Sequence, residues 1–109
     1  MDCIFCKIIA RQIPAKVIDE TDDVIVIADI APKAPIHWLI IPKKHIPDLS
    51  HLSNEDRNLA CNMLFTAGKL AEKLPGSKSF RLVSNNGHEV GQRVFHIHLH
   101  FLSGTQIEF

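Results

Sequence analysis

The stretch of sequence that decides the fold lies near its end and reads Val94-Phe95-His96-Ile97-His98-Leu99-His100-Phe101-Leu102. Its three histidines alternate with apolar residues, and this period of two is typical of a β-strand with one buried face. The pattern predicts a strand over Val94–Leu102 whose apolar side chains enter the core. The three imidazoles would then project from the opposite face, with neighbours roughly 6.6 Å apart along the strand.

Other segments supply partners for this strand. A β-branched run at Val24–Ile27 is typical of a strand buried on both faces. The segment His37–Ile41 has the same character and is followed by Pro42, which is expected to end it. Two weaker strands are predicted near Lys16–Asp19 and over Phe80–Val83. We therefore expect a sheet of short strands joined by short loops.

The sequence predicts one long helix. Ser53 and Asp56 form a capping-box-like start, and apolar residues recur at helical spacing from Leu59 to Leu74. Cys61 falls inside this helix and is predicted to lie in the core. A shorter apolar segment at 4–10 predicts a small N-terminal helix. One long helix and short loops favour an α+β fold, an antiparallel sheet with the helices packed on it.

Length and charge limit the functional classes. The 109 residues, 46% of them hydrophobic, are enough for one domain over 1–109. The 12 Lys and Arg residues balance the 12 Asp and Glu residues, so neither nucleic acid nor a membrane surface is an expected partner. An acidic Asp2 near the N-terminus, where a signal peptide carries positive charge, favours a cytoplasmic protein.

The residue pattern by itself leaves several interpretations of the histidines open. The strand could have a solvated face that happens to carry histidine, or the three imidazoles could bind a catalytic zinc ion together with water. A neutral imidazole can also act as a nucleophile near pH 7. The pair Cys3-x-x-Cys6 is half of a tetrahedral zinc site, although both thiols could instead pack as small apolar groups.

The chain resembles the histidine triad (HIT) family, and specifically its Hint-like branch of purine nucleoside phosphoramidases. The triad motif His96–His100 carries this resemblance. The similarity extends almost end to end through four further segments, Cys3–Ile9, Ile13–Ala15, Asp29–His37 and Ile41–Ile46.

The resemblance implies an antiparallel HIT-like fold and a homodimer whose two sheets join into one. It implies a hydrolase that binds a purine nucleotide and releases AMP or GMP from a P–N bond through a nucleotidylated histidine. A dinucleoside polyphosphate hydrolase of the same family remains an alternative. A nucleotide-binding sensor or scaffold without catalysis is the other.

The same resemblance implies a role for each matching residue. His98 is the expected nucleophile, and His100, His96 and His37 are the other expected catalytic residues, close to the phosphate. Asp29 is expected to bind the ribose hydroxyls beside Ile30, which would contact the base. The expected phosphate-binding loop contributes Asn85, Gly91, Gln92 and Arg93.

A structural zinc ion is expected from the resemblance at Cys3, Cys6, His45 and His96, and catalysis itself is expected to need no cofactor. The loop departs from many relatives at Val90 and Arg93, which bears on the preferred leaving group. The end of the sequence at Phe109 implies a short C-terminal tail and looser selectivity.

Overall fold

A computed structural model describes residues 3–106, so Met1, Asp2 and residues 107–109, where the short C-terminal end was expected, lie outside the described residues. Five antiparallel strands form one sheet in the order β1-β2-β3-β5-β4, which confirms the predicted α+β class. The elements are α1 (Ile4–Ile9), β1 (Val17–Glu20), β2 (Val24–Ala28), β3 (Ile36–Pro42), α2 (Arg57–Ala71), β4 (Arg81–Val83) and β5 (Leu99–Ser103). Short 3-10 turns lie at Leu49–His51, Asn54–Asp56 and His88–Val90.

The long helix α2 covers one face of the sheet. Its residues Met63, Ala67 and Leu70 pack against the side chains that β2, β3 and β5 present on this face. Phe101 of β5 is fully buried there and stacks on Trp38 and Phe80, with ring centroids 5.4 and 4.5 Å away. Burial of this apolar surface holds α2 to the sheet.

The short helix α1 covers the opposite face. Its Phe5 and Ile8 pack on Ile25, Ile27, Leu39 and Ile41 of β2 and β3. Leu39 lies opposite His100 in the β3–β5 register, and side chains opposite each other project from the same face. His37 lies two residues before Leu39 and shares this face as well. The face covered by α1 therefore also carries histidines from two neighbouring strands.

The predicted helix is shorter than the apolar repeat implied. Ser53 and Asp56 do form a cap, in which the Ser53 backbone N–H donates to the Asp56 carboxylate over 2.9 Å. However, this cap opens a 3-10 turn, and α2 begins only at Arg57. The prediction for Cys61 was wrong, because it lies on the exposed side of α2 while Met63, Ala67 and Leu70 face the sheet.

The last strand is also shorter than the alternation predicted. Regular pairing begins at Leu99, and residues 94–98 lie outside the ladder although Ile97, Leu99 and Phe101 are buried as expected. β3 ends at Pro42, which has no backbone N–H to extend the ladder. The Ile97 N–H instead donates to the Ile46 carbonyl over 2.7 Å. Between residues 3 and 106, no helix is both long enough and apolar enough to span a membrane.

Candidate functional site

Four of the histidines, His37, His45, His96 and His100, are divided between two clusters. In the first, two thiols and two imidazoles converge from three parts of the chain. His96 Nδ1 lies 3.4 Å from Cys3 Sγ, 3.6 Å from Cys6 Sγ and 3.1 Å from His45 Nδ1. Cys6 Sγ lies 3.3 Å from His45 Nδ1. The four residues are Cys3, Cys6, His45 and His96, the complete set that the family resemblance implied for a metal.

The hydrogen bond of His96 to the backbone leaves its Nδ1 free to bind a metal ion. His96 Nε2 lies 2.7 Å from the Pro42 carbonyl oxygen, which can only accept, so Nε2 carries the proton. Burial lowers the pKa of His96, which keeps the ring neutral. Nδ1 therefore presents a lone pair to the two cysteines and to His45.

The distances in this cluster fit a tetrahedral metal ion. Zinc bonds to nitrogen at about 2.0–2.1 Å and to sulfur at about 2.3 Å, which places two nitrogen ligands about 3.3 Å apart and nitrogen and sulfur about 3.6 Å apart. The observed separations of 3.1–3.6 Å match these values. The four residues can hold a metal ion, and four protein ligands leave no position for a reactive water.

His98 is oriented by the backbone of the residue two positions earlier. Its Nδ1–H donates to the His96 carbonyl oxygen over 2.8 Å, so its Nε2 has a free lone pair. The edge of Phe5 packs against the ring, with centroids 5.0 Å apart. Burial lowers the pKa of His98, which keeps the ring neutral near pH 7. This geometry leaves a neutral ring nitrogen with a free lone pair.

The second cluster links His37, His100 and Asp29. The Lys33 backbone N–H donates to His37 Nδ1 over 3.0 Å, so in the neutral ring the proton is on His37 Nε2. His37 Nε2–H donates in turn to His100 Nδ1 over 2.9 Å, and Asp29 Oδ2 lies 3.3 Å away from the same Nε2. His100 Nδ1 is therefore an acceptor, and the proton of its neutral ring is on Nε2.

His100 remains neutral over a wide pH range. Burial and the neighbouring His98 and His37 lower its pKa to about 4, and Lys33 acts in the same direction, whereas Asp29 raises it. Burial likewise lowers the pKa of His37, against the opposing effect of Asp29. The ring of His100 lies 5.1 Å from that of His98 between centroids, so its Nε2–H can serve a group bound to His98.

Two side chains are expected to bind a nucleoside, namely Asp29 of this cluster and its chain neighbour Ile30. Asp29 Oδ1 accepts the Ala31 backbone N–H over 2.8 Å, which fixes the carboxylate at the end of β2. Ile30 is 99% exposed, so a planar apolar group can pack against it without displacing protein atoms.

The expected phosphate loop is built around a buried glutamine. Gln92 donates its amide hydrogens to the Pro47 and Val94 carbonyls over 2.7 and 3.0 Å and accepts the Gly87 N–H over 2.8 Å. It therefore braces the loop, and the structure does not present it to solvent. Gly91 has φ +106, a conformation that side chains disfavour, Asn85 is half-buried and Arg93 is exposed.

A model of the HIT domain family matches residues 10–107 of the chain. The chain belongs to the HIT domain family. An uncharacterized HIT-like protein of Synechocystis is 50% identical over 103 residues, which cover 94% of this chain and 90% of the relative. The structure of a HIT family hydrolase from Legionella pneumophila has a TM-score of 0.93 and 43% identity, covering 99% of this chain and 97% of that one. A HIT family hydrolase from Clostridium thermocellum has a TM-score of 0.92 and 41% identity, covering 98% and 94%.

The sequence did not reveal the groups that orient the triad of this HIT protein. Backbone atoms orient most of the histidine rings by hydrogen bonds. They are the Lys33 N–H, the Pro42 carbonyl and the His96 carbonyl. A backbone group has no signature in sequence. His96, expected among the catalytic residues, has no exposed surface, and both of its ring nitrogens are engaged. Its carbonyl orients His98, while its ring belongs to the cluster with Cys3, Cys6 and His45.

Proposed function

We propose that this HIT protein is a nucleotidyl hydrolase that cleaves the α-phosphate of purine nucleoside phosphoramidates and releases AMP or GMP. The observation that carries the proposal is the free Nε2 of a neutral, oriented His98. Membership of the family supports it, as do the HIT family hydrolases whose folds the chain shares.

The reaction has two displacement steps. The nitrogen of the substrate P–N bond first takes a proton from solvent. His98 Nε2 then attacks phosphorus, a P–N bond forms to the enzyme, and the substrate P–N bond breaks as the amine leaves with the bonding electron pair. Water next attacks phosphorus and returns a proton to solvent, the bond to His98 breaks with its electron pair returning to Nε2, and the nucleoside monophosphate is released. Splitting one displacement into two lowers each barrier. His100 Nε2–H donates to a phosphoryl oxygen whose charge changes in the transition state.

Elements around the triad supply binding contacts. Asp29 accepts hydrogen bonds from the ribose hydroxyls, and the exposed Ile30 packs on the purine. The loop of Asn85, Gly91 and Arg93 holds the phosphate with amide, backbone and guanidinium donors. In this arrangement Gln92 acts indirectly, by bracing that loop.

The decisive experiment traps the intermediate. Wild-type enzyme quenched during turnover of an adenosine phosphoramidate should carry AMP on the peptide that contains His98, as read by mass spectrometry. His98→Asn should lower kcat by about 10⁴-fold or more and retain nucleotide affinity. His51→Asn makes the same change at an exposed histidine outside the phosphate loop, so it is the matched control and should leave kcat unchanged.

Contrary outcomes are specific. Near-normal turnover by His98→Asn would refute the nucleophile. A higher kcat/KM for diadenosine tetraphosphate than for the phosphoramidate would favour the dinucleoside polyphosphate hydrolase. Tight nucleotide binding with no turnover of either substrate would favour the sensor or scaffold.

We further propose that the metal at Cys3, Cys6, His45 and His96 is a structural zinc ion. Two thiolates and two imidazoles are a common zinc ligand set, and the donor-atom separations fit it. When bound, zinc would fix the His96 backbone, whose carbonyl orients His98. Catalysis itself needs no cofactor in this proposal.

We also propose a homodimer in which the two sheets join. Leu64 and Phe65 on the outer side of α2 are 62% and 72% exposed, and β4 lies at an edge of the sheet. An exposed apolar helix face and an open strand edge can each be covered by a second copy of the chain about a two-fold axis. Light scattering should give twice the chain mass of 12.2 kDa. Phe65→Glu should give the monomer, while Lys69→Glu on the same helix should not, and a monomeric wild type would refute the proposal.

A further inference from the structure

The two carboxylate oxygens of Asp29 have different partners. Oδ1 accepts the Ala31 N–H, so it is used locally by the loop. Oδ2 lies 3.3 Å from Nε2 of His37, whose side chain is only 2% exposed. The carboxylate therefore faces a buried histidine as well as the solvent side where a ribose would bind.

His37 Nε2 has one hydrogen-bond acceptor and one nearby carboxylate oxygen. His100 Nδ1 is 2.9 Å from this nitrogen and Asp29 Oδ2 is 3.3 Å from it. On the other side of the ring, the Lys33 N–H can only donate, which keeps Nδ1 free of a proton. The hydrogen bonds thus have one direction, from the Lys33 backbone through His37 to His100.

We propose that Asp29 is a positioning residue for His100. Together with the Lys33 backbone N–H, it holds His37 in the tautomer that is protonated at Nε2. This keeps His100 Nδ1 as an acceptor and leaves the Nε2–H of His100 directed to a phosphoryl oxygen. The inference deepens the proposed function, on which its kinetic test rests, and gives Asp29 a second role besides binding ribose.

Asp29, His37 and His100 are spaced closely enough to hold a metal ion. The positions of their protons disfavour such a site. A metal on His37 Nε2 would have to replace the proton there, and moving that proton to Nδ1 would place it against the Lys33 N–H. Hydrogen bonding accounts for the cluster without this conflict.

Asp29→Asn tests the proposal because the amide has nearly the same shape. Its oxygen can keep the Ala31 N–H, and its NH₂ group would then face the His37 Nε2–H, so two donors would meet. The tautomer of His37 or its bond to His100 must change. Asp22→Asn removes the same charge from an exposed turn and is the matched control.

The structural test uses ¹⁵N NMR of the imidazoles and does not depend on activity. Wild-type His37 and His100 should each show a protonated Nε2 and an unprotonated Nδ1. Asp29→Asn should shift the resonances of both rings, and Asp22→Asn should shift neither. A wild-type His37 protonated at Nδ1, or unchanged rings in Asp29→Asn, would overturn the proposal. So would zinc beyond one equivalent per chain binding to His37 and His100.

The kinetic test separates the two roles of Asp29 with a substrate that has no ribose hydroxyls. If Asp29 only binds ribose, Asp29→Asn should not affect a 2′,3′-dideoxynucleoside phosphoramidate. We expect kcat for this substrate to fall roughly 10-fold or more, because even a small misplacement of the His100 donor weakens its contact with the phosphoryl oxygen. An unchanged kcat would overturn the proposal. If the wild type turns over neither substrate, the proposed hydrolase fails while the NMR result still decides the role of Asp29.

Discussion

Two clusters of the molecule contain imidazole pairs at similar distances, yet their protons are arranged in opposite ways. The first consists of Cys3, Cys6, His45 and His96, and the second of Asp29, His37 and His100. Nitrogens lie 3.1 Å apart in the first, between His45 and His96, and 2.9 Å apart in the second, between His37 and His100. In the first, the Pro42 carbonyl draws the His96 proton to the far nitrogen and leaves a lone pair inside. In the second, the Lys33 N–H drives the His37 proton inward.

The difference shows that one backbone group decides what an imidazole can do. A neutral imidazole carries its proton on one of two ring nitrogens. A carbonyl that accepts from the nitrogen facing away from the cluster leaves the nitrogen facing into the cluster free to bind a metal. A backbone N–H that donates to the nitrogen facing away places the proton on the one facing into the cluster. His98 lies between these cases, because the His96 carbonyl holds its proton and leaves a nucleophilic lone pair. We expect substitutions in the cluster of Cys3, Cys6, His45 and His96 to lower the free energy of unfolding. Substitutions in the His37–His100 cluster should lower kcat.

The largest effect should come from Cys6→Ser. Purified wild-type protein, made without an affinity tag, should contain about one zinc per chain. Cys6→Ser should lose the zinc and about 4 kcal/mol or more of folding free energy, the size typical of a lost structural metal, as measured by denaturant unfolding. The kcat of this variant, measured at a temperature where it is folded, should fall by a smaller factor than its equilibrium constant for folding.

Cys61→Ser is the control for this variant, since it makes the same change at an exposed position on α2. It should alter the unfolding free energy by no more than about 0.5 kcal/mol. Wild-type protein free of zinc after growth in zinc-replete medium would contradict the structural zinc.

A smaller effect, of the opposite kind, is expected from His37→Leu. The apolar side chain suits a buried position, so the fold should persist, while kcat falls about 10²-fold because His100 loses its donor. His37→Gln should recover part of the activity, since its amide N–H can donate to His100 Nδ1. If His37→Leu kept full kcat but unfolded as easily as Cys6→Ser, the division between the clusters would be wrong.

The smallest effect concerns pH. An unfolded histidine titrates near pH 6.5, whereas burial lowers the pKa of folded His100 to about 4. Between these pH values the unfolded chain binds a proton at His100 that the folded chain does not. The contribution of neutral His100 to the free energy of unfolding is therefore complete above pH 6.5 and is lost as pH falls towards 4. The Tm of His100→Asn should therefore fall less than that of the wild type between pH 7 and pH 5. Equal slopes, with His88→Asn as the reference, would contradict the low pKa.

The alternation of residues predicted which side chains enter the core more accurately than it predicted the length of the strand. Ile97, Leu99 and Phe101 are all buried, because burial follows the local period of two. Strand pairing depends on a partner, and Pro42 ends the ladder that the alternation alone would extend.

The candidate site divides in the same way. The family motifs named both cysteines, Asp29 and four histidines that the structure brings together in two clusters, as well as His98, which lies next to His100. They also named Gln92 as a phosphate ligand, although its amide is buried in backbone hydrogen bonds. A side-chain type at a motif position does not specify which way its polar atoms point.

The sequence by itself determined the α+β class, the buried face of the last strand and the chemical types available for a metal and for nucleophilic catalysis. These follow from local periodicity and from side-chain chemistry, which any reader of the chain can recover. Only the tertiary structure decided which nitrogen of each histidine carries the proton. That choice depends on backbone groups distant in sequence, such as the Pro42 carbonyl beside His96, which only folding brings into contact.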